Sequence, residues 1–201
     1  MAITTDTDNA LLSFADTANY LGESTTSTAN NDLLRDIINA SAFRFNSETH
    51  RQLKARNYTE IYNGNGKGAL YLNNYPLSST TITITIDNTR AFDDTGDVVT
   101  STDVMLTTDR ALVRLDGHSF SYGSNNVQIE YSAGYTTSEG VAEDLRQAAK
   151  DHVKILWDRQ QNKMTQGVRS EAFEGVSRTF EMDLPWSVRQ VLTLYTERNA
   201  G

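Results

Sequence analysis

Residues 127–159, VQIEYSAGYTTSEGVAEDLRQAAKDHVKILWDR, change their hydrophobic period part-way along. A stretch that does so must set a strand and a helix on either side of one turn. Val127, Ile129 and Tyr131 fall on one side of an extended segment and Gln128 and Glu130 on the other, which is the period of two of a half-buried strand. Gly134 breaks it. After Gly140, Val141, Leu145, Ala148, Ala149, His152, Leu156 and Arg159 recur at three- and four-residue steps, and most of them make one apolar stripe on a helix. Glu143, Lys150, Lys154 and Asp158 lie opposite. Glu143 and Asp144 in the first turn, with Lys154 and Arg159 toward the other end, suit the charge preference of helix termini. The stretch carries no reactive constellation.

The remaining elements arrange themselves around this junction. Leu11, Leu12, Phe14, Ala15, Ala18, Tyr20 and Leu21 predict a short helix over 10–21, closed by Gly22. The polar tract ESTTSTANN over 23–31 reads as a loop, with Asn30 or Asn31 capping the next helix. Leu33, Leu34, Ile37, Ile38, Ser41, Ala42 and Phe45 give that helix a clear stripe, continuing toward Leu53, and it is expected to pack on the helix from Val141. From Tyr58 the period becomes that of strands. A hairpin is predicted through NGNGKG over 63–68, then a strand with alternating Ile82, Ile84 and Ile86 and one buried face, a turn over 94–96, and strands over 104–107 and 111–115. Six or seven short strands thus separate the second helix from the third, enough for a small barrel or sandwich. Residues 162–183 show no sustained period and read as a long loop or loose hairpin of the kind that often contacts another copy or a partner. Pro185 then opens a last helix with a stripe of Trp186, Val188, Val191, Leu192 and Tyr195.

The fold class that follows is α+β: a bundle of three to four helices with an antiparallel β lobe inserted between the second and third. Its expected parts are N-terminal helices over 1–57, the β lobe over 58–132 and C-terminal helices over 133–201, the two helical parts forming one unit. A chain of 201 residues can bury an ordinary core without staples. The absence of cysteine removes disulfides, thiolate zinc sites and cysteine nucleophiles. No apolar run approaches bilayer length and the polar start MAITTDTDNA is unlike a secretory signal, so the chain reads as soluble, unprocessed and without a membrane partner. The formal charge of −8 is spread along both halves and offers no basic tract to a phosphate backbone. An acidic surface does suit a wall past which DNA slides without sticking.

Motifs that resemble chemistry fail on inspection. NGNGKG lacks both the hydroxyl residue after Lys67 and the earlier glycine of a Walker loop, where Ile61 stands instead, so its asparagines and glycines serve a turn. GHSFS over 117–121 lacks the closing glycine of a hydrolase elbow and is followed by a strand rather than a helix. Asp93, Asp94 and Asp97 lack the alternating oxygen ligands of a calcium loop. His50, His118 and His152 form no spaced ligand set, and His152 completes a helix face. No catalytic residue, metal ligand or cofactor is expected. Trp186 and Tyr195 read as core residues first and interface anchors second.

In the order of its elements the chain resembles the head-to-tail connector, or adaptor, proteins of tailed bacteriophages. The resemblance rests on the short helix ending in YLG, NNDLLRDIINASAFRF, YNGNGKGALYLNNYPLSS, the junction VQIEYSAGY to VAEDLRQAAKDHVKILWDR, and the ending DLPWSVRQVLTLYTER. Ala142 stands where related sequences often carry proline, and shorter members lack so extensive a β segment. The resemblance implies a structural protein without catalysis, built into the virion neck after assembly in the host bacterial cytoplasm. About twelve copies would close head to tail into a ring under the portal protein, joined below by a tail-completion or stopper protein, with DNA passing through the channel without specific binding. It also implies portal contact through the last helix, by Trp186, Val188, Arg189, Leu192 and Tyr195. The rival expectation is a monomeric module whose β lobe binds a glycan or host surface with Tyr58, Tyr62, Tyr71 or Tyr75 as stacking residues.

Overall fold

The computed structural model describes residues 9–23, 27–93, 97–137, 140–161, 170–173, 176–179 and 184–196. They belong to two compact units, one drawn from Met1–Arg51 and Thr137–Thr196, the other from Gln52–Thr136. The class is α+β, with the strands of the second unit lying between the second and third helices in the chain.

In the first unit, α1 (Phe14–Leu21) starts later than the apolar pattern predicts, because Ser13 caps it: its hydroxyl accepts the Asp16 amide at 3.1 Å. Ala10, Leu11 and Leu12 are buried without being helical. Gly22 takes the left-handed φ of 71° that closes the helix and returns its amide to Ala18 and Asn19. The next helix, α2 (Thr28–Thr49), is capped by Ser27 rather than by Asn30 or Asn31, so the polar tract contributes its own first turn. It ends at His50, short of Leu53, where φ turns to 56°. As expected, α2 packs on α3 (Glu143–Gln161). Leu34, Ile37, Ile38, Ala42 and Phe45 meet a stripe that includes Leu145, Ala148, Ala149 and Val153. Trp157 belongs to that buried stripe while the predicted Leu156 is only half-buried, and the indole donates to Glu23 at 3.2 Å. His152 does complete the face: its Nδ1 lies 2.9 Å from the Ser41 hydroxyl and its ring stacks on Phe45.

The second unit holds two three-stranded antiparallel sheets. Its strands are β1 (Arg56–Gly64), β2 (Ala69–Tyr71), β3 (Thr83–Ile86), β4 (Val104–Thr107), β5 (Leu112–Leu115) and β6 (Gly123–Ala133), in the orders β1–β6–β3 and β2–β5–β4. The predicted hairpin through NGNGKG is therefore a corner instead: β1 leaves it in one sheet and β2 enters the other. Among those six residues only Gly66 adopts a positive φ. The turn expected over 94–96 lies outside the described residues.

Register decides which side chains meet. Tyr58 stands opposite Tyr131, and Ile129 stands between Glu60 and Ile84, while Leu70, Val113 and Leu106 line up across the other sheet. These rows turn inward onto one shared apolar core with Phe120 and Val127. The outward rows of the first sheet are Thr59, Glu130 and Thr83, then Ile61, Gln128 and Thr85. Those of the second are Ala69, Arg114 and Met105, then Tyr71, Leu112 and Thr107, with Leu112 buried despite its place in that row. Thr85 departs from the predicted exposed row because a bridge to Val98 covers it. The unit's two ends run side by side, with the Ala55 amide on the Tyr135 carbonyl at 3.0 Å and the Tyr135 amide on Leu53 at 2.9 Å. Gly134 allows this approach: its φ is 109°, and a Cβ there would sit 2.7 Å from the Lys54 backbone.

Within 162–183, β7 (Ser170–Phe173) and β8 (Val176–Thr179) pair antiparallel, so the loose-hairpin expectation holds for that part and the rest lies outside the described residues. The last helix is α4 (Trp186–Thr193).

Candidate functional site

The residues expected at the portal contact all sit on or beside α4, and the structure divides them into two groups. Pro185 takes the cap position rather than the first helical one, and its carbonyl accepts the Arg189 amide at 2.9 Å. The helix packs on α3 and α2. Val188 and Leu192, one turn apart, are 1% and 2% exposed and fasten α4 to its own unit, so neither is open to a partner. Tyr195 is half-buried, and its hydroxyl donates to Asp144 at 2.6 Å, tying the end of α4 to the start of α3. Trp186 is 71% exposed and Arg189 is exposed as well. Trp186 is thus not a core residue. Sequence reasoning missed Leu194, which is 70% exposed just past the helix. The signal was present: residues two apart on a helix point about 200° apart, so Trp186 cannot share a face with Val188.

Among the described residues, the others singled out assemble no reactive centre. GHSFS is a loop between β5 and β6, anchored by the fully buried Phe120, whose amide donates to Lys67 at 2.9 Å. His118 lies 3.3 Å from Asp103 at the surface, His50 closes α2, and His152 is in the helical core. The described residues contain no group of histidine and carboxylate side chains able to hold a metal ion. No described helix is long and apolar enough to cross a membrane.

Two carboxylates are organised within the β unit. Glu60 accepts from the Tyr131 hydroxyl at 2.6 Å, from Asn74 Nδ2 at 3.0 Å and from the Tyr62 hydroxyl. Burial, then the bond given to Glu60, pushes both phenols above the ordinary tyrosine range. Asp87 accepts the amides of Thr89, Ala91 and Phe92 and the Thr89 hydroxyl, all at 2.6–2.9 Å. The Phe92 amide and then the Thr89 hydroxyl contribute most to holding that carboxyl at about 2. Both arrangements close on themselves and serve the fold. The tyrosine platform of the glycan reading does not form: Tyr58, Tyr62 and Tyr75 pack against the core, and only Tyr71 of the four is mainly exposed.

The sequence model of the head completion proteins matches residues 10–198. The chain belongs to the head completion protein family. Membership makes it a structural protein of the virion head-tail region, and bears out the likeness to phage head-to-tail connectors. Its fold is shared by chains in the neck of an empty gene transfer agent particle computed with C6 symmetry, at a TM-score of 0.58 and 14% identity over 98% of this chain and 94% of that one. A chain from the neck of a native particle computed with C12 symmetry matches at 0.53 and 13% over 98% and 93%. One from the native virion matches at 0.56 and 16% over 94% and 91%. No curated protein sequence matches the chain.

Proposed function

We propose that this head completion protein is a ring-forming connector subunit. About twelve copies close head to tail below the portal, bridge it to a tail-completion or stopper protein, and leave a channel through which DNA passes without specific binding. The observation that carries the reading is Trp186, a large aromatic side chain 71% exposed at the start of a helix whose Val188 and Leu192 are already committed to its own unit. Tryptophan and arginine are the residue types that most often dominate docking energy, and Arg189 lies beside it. The portal-facing surface is then Trp186, Arg189 and Leu194, with Val188, Leu192 and Tyr195 holding the helix in position. Family membership and the likeness to chains from necks computed with C6 and C12 symmetry support the ring. A charge of −8 suits a channel wall. The neck is the proposed location, reached after assembly in the host bacterial cytoplasm.

The test is an affinity pull-down of the tagged full chain from its native source, with partners identified by mass and counted. Recovery of a portal protein at one connector per portal subunit, lost on Trp186→Ala while the variant stays folded, is the expected result. Recovery of no virion protein, or unchanged portal binding by the variant, removes this role from the terminal helix.

A further inference from the structure

The β unit turns two unlike faces outward from its shared core. On the β1–β6–β3 face, Glu130 is the only charge in the two central rows, and Ile61, 52% exposed, lies diagonally beside it. On the β2–β5–β4 face, Met105 stands directly opposite Arg114 and Tyr71 lies diagonal to it, the two being 56% and 51% exposed. Directly opposed side chains on neighbouring strands have Cβ atoms about 5 Å apart and diagonal ones remain within reach of long side chains, so each face presents one charge flanked by exposed apolar surface. The two charges have opposite signs. The Arg114 side chain makes no hydrogen bond or ion pair with any described residue.

We propose that these faces dock on one another between neighbouring copies of this chain, Arg114 of one copy against Glu130 of the next, with Tyr71 and Met105 covering Ile61. The proposal rests on the ring reading above. A closed head-to-tail ring needs two different, complementary surfaces on each subunit, and opposite sides of one sandwich supply them. Charge depletion at the centre and enrichment in Tyr, Met and Arg are the composition of an interface core. Charge also argues against each face meeting its own copy, since that would oppose Arg114 to Arg114 or Glu130 to Glu130. Asp103, beside His118, and Asp116 lie together where β4 begins and β5 ends, so Glu130 is repelled from that end of the sheet and drawn to Arg114.

Native mass spectrometry of the full chain tests this, with thermal melts confirming that each variant is folded. Arg114→Glu and Glu130→Arg should each lower the ring population at least about tenfold at fixed concentration, and the double exchange should restore it. The chain has no cysteine, so Ile61→Cys with Met105→Cys should give an oxidised ladder of linked copies. A wild-type ring that persists unchanged in both single variants, with no ladder, overturns the paired faces and leaves the ring standing. A wild-type chain that forms no ring at any concentration overturns both.

Discussion

Asp87 concentrates, at a single side chain, a dependence that solution conditions can read. Three amides and a hydroxyl converge on its carboxylate, and none of them gains from a neutral acid in that place. The folded carboxyl titrates at about 2 against 3.8 for the free side chain, so the unfolded chain takes up the proton first as the solution is acidified. Its contribution is complete above pH 4 and is lost as pH falls through the folded value of about 2. Thermal melts of the wild type and of Asp87→Asn should therefore differ most at neutral pH and converge toward pH 2. A constant difference over that range would show that the carboxylate charge is not what the loop uses. Glu60 shows a second way to keep a carboxylate inside a β unit, through two phenols and an amide side chain rather than backbone.

At the scale of an element, α4 separates residues that hold it from residues that face outward. Leu192→Ala removes a side chain that is 2% exposed and should cost the helical unit about 2–5 kcal/mol in denaturant unfolding. Trp186→Ala should change stability by no more than about 0.5 kcal/mol, because little of that side chain is covered. Equal losses from the two would mean that Trp186 is packed rather than presented. The sequence made the existence of this helix plain and its orientation less so, since a stripe on an eight-residue helix can be rotated without breaking the pattern. The helix from Glu143 was legible to within two residues at each end because nineteen positions fix its phase, although Trp157 rather than Leu156 completes its buried stripe. Strand pairing was not. The asparagines and glycines of NGNGKG announce a change of direction, but the partner of β1 is β6, far along the chain, and no local rule names it. The portal-contact set split for the same kind of reason: helical spacing identifies a buried face only once its neighbours are known.

For the whole molecule, charge decides how it behaves beside DNA. A net −8 without a basic tract gives phosphate nothing to replace its counterions with, so the purified chain should leave duplex DNA unshifted in a gel even at low salt. A shift that weakens steeply as salt rises would contradict a non-adhesive channel wall. The sheets add a different property through the way their unit begins and ends. Tyr135 bonds back to Leu53 and Ala55, so the chain leaves the β unit beside the point where it entered. Such a segment is a cassette: joining residue 51 to residue 137 through a short linker closes little extra loop entropy, and another compact domain with adjacent termini can be spliced in its place. The same geometry gives evolution a position at which a head completion protein can lengthen, shorten or exchange its β unit without rebuilding its helices.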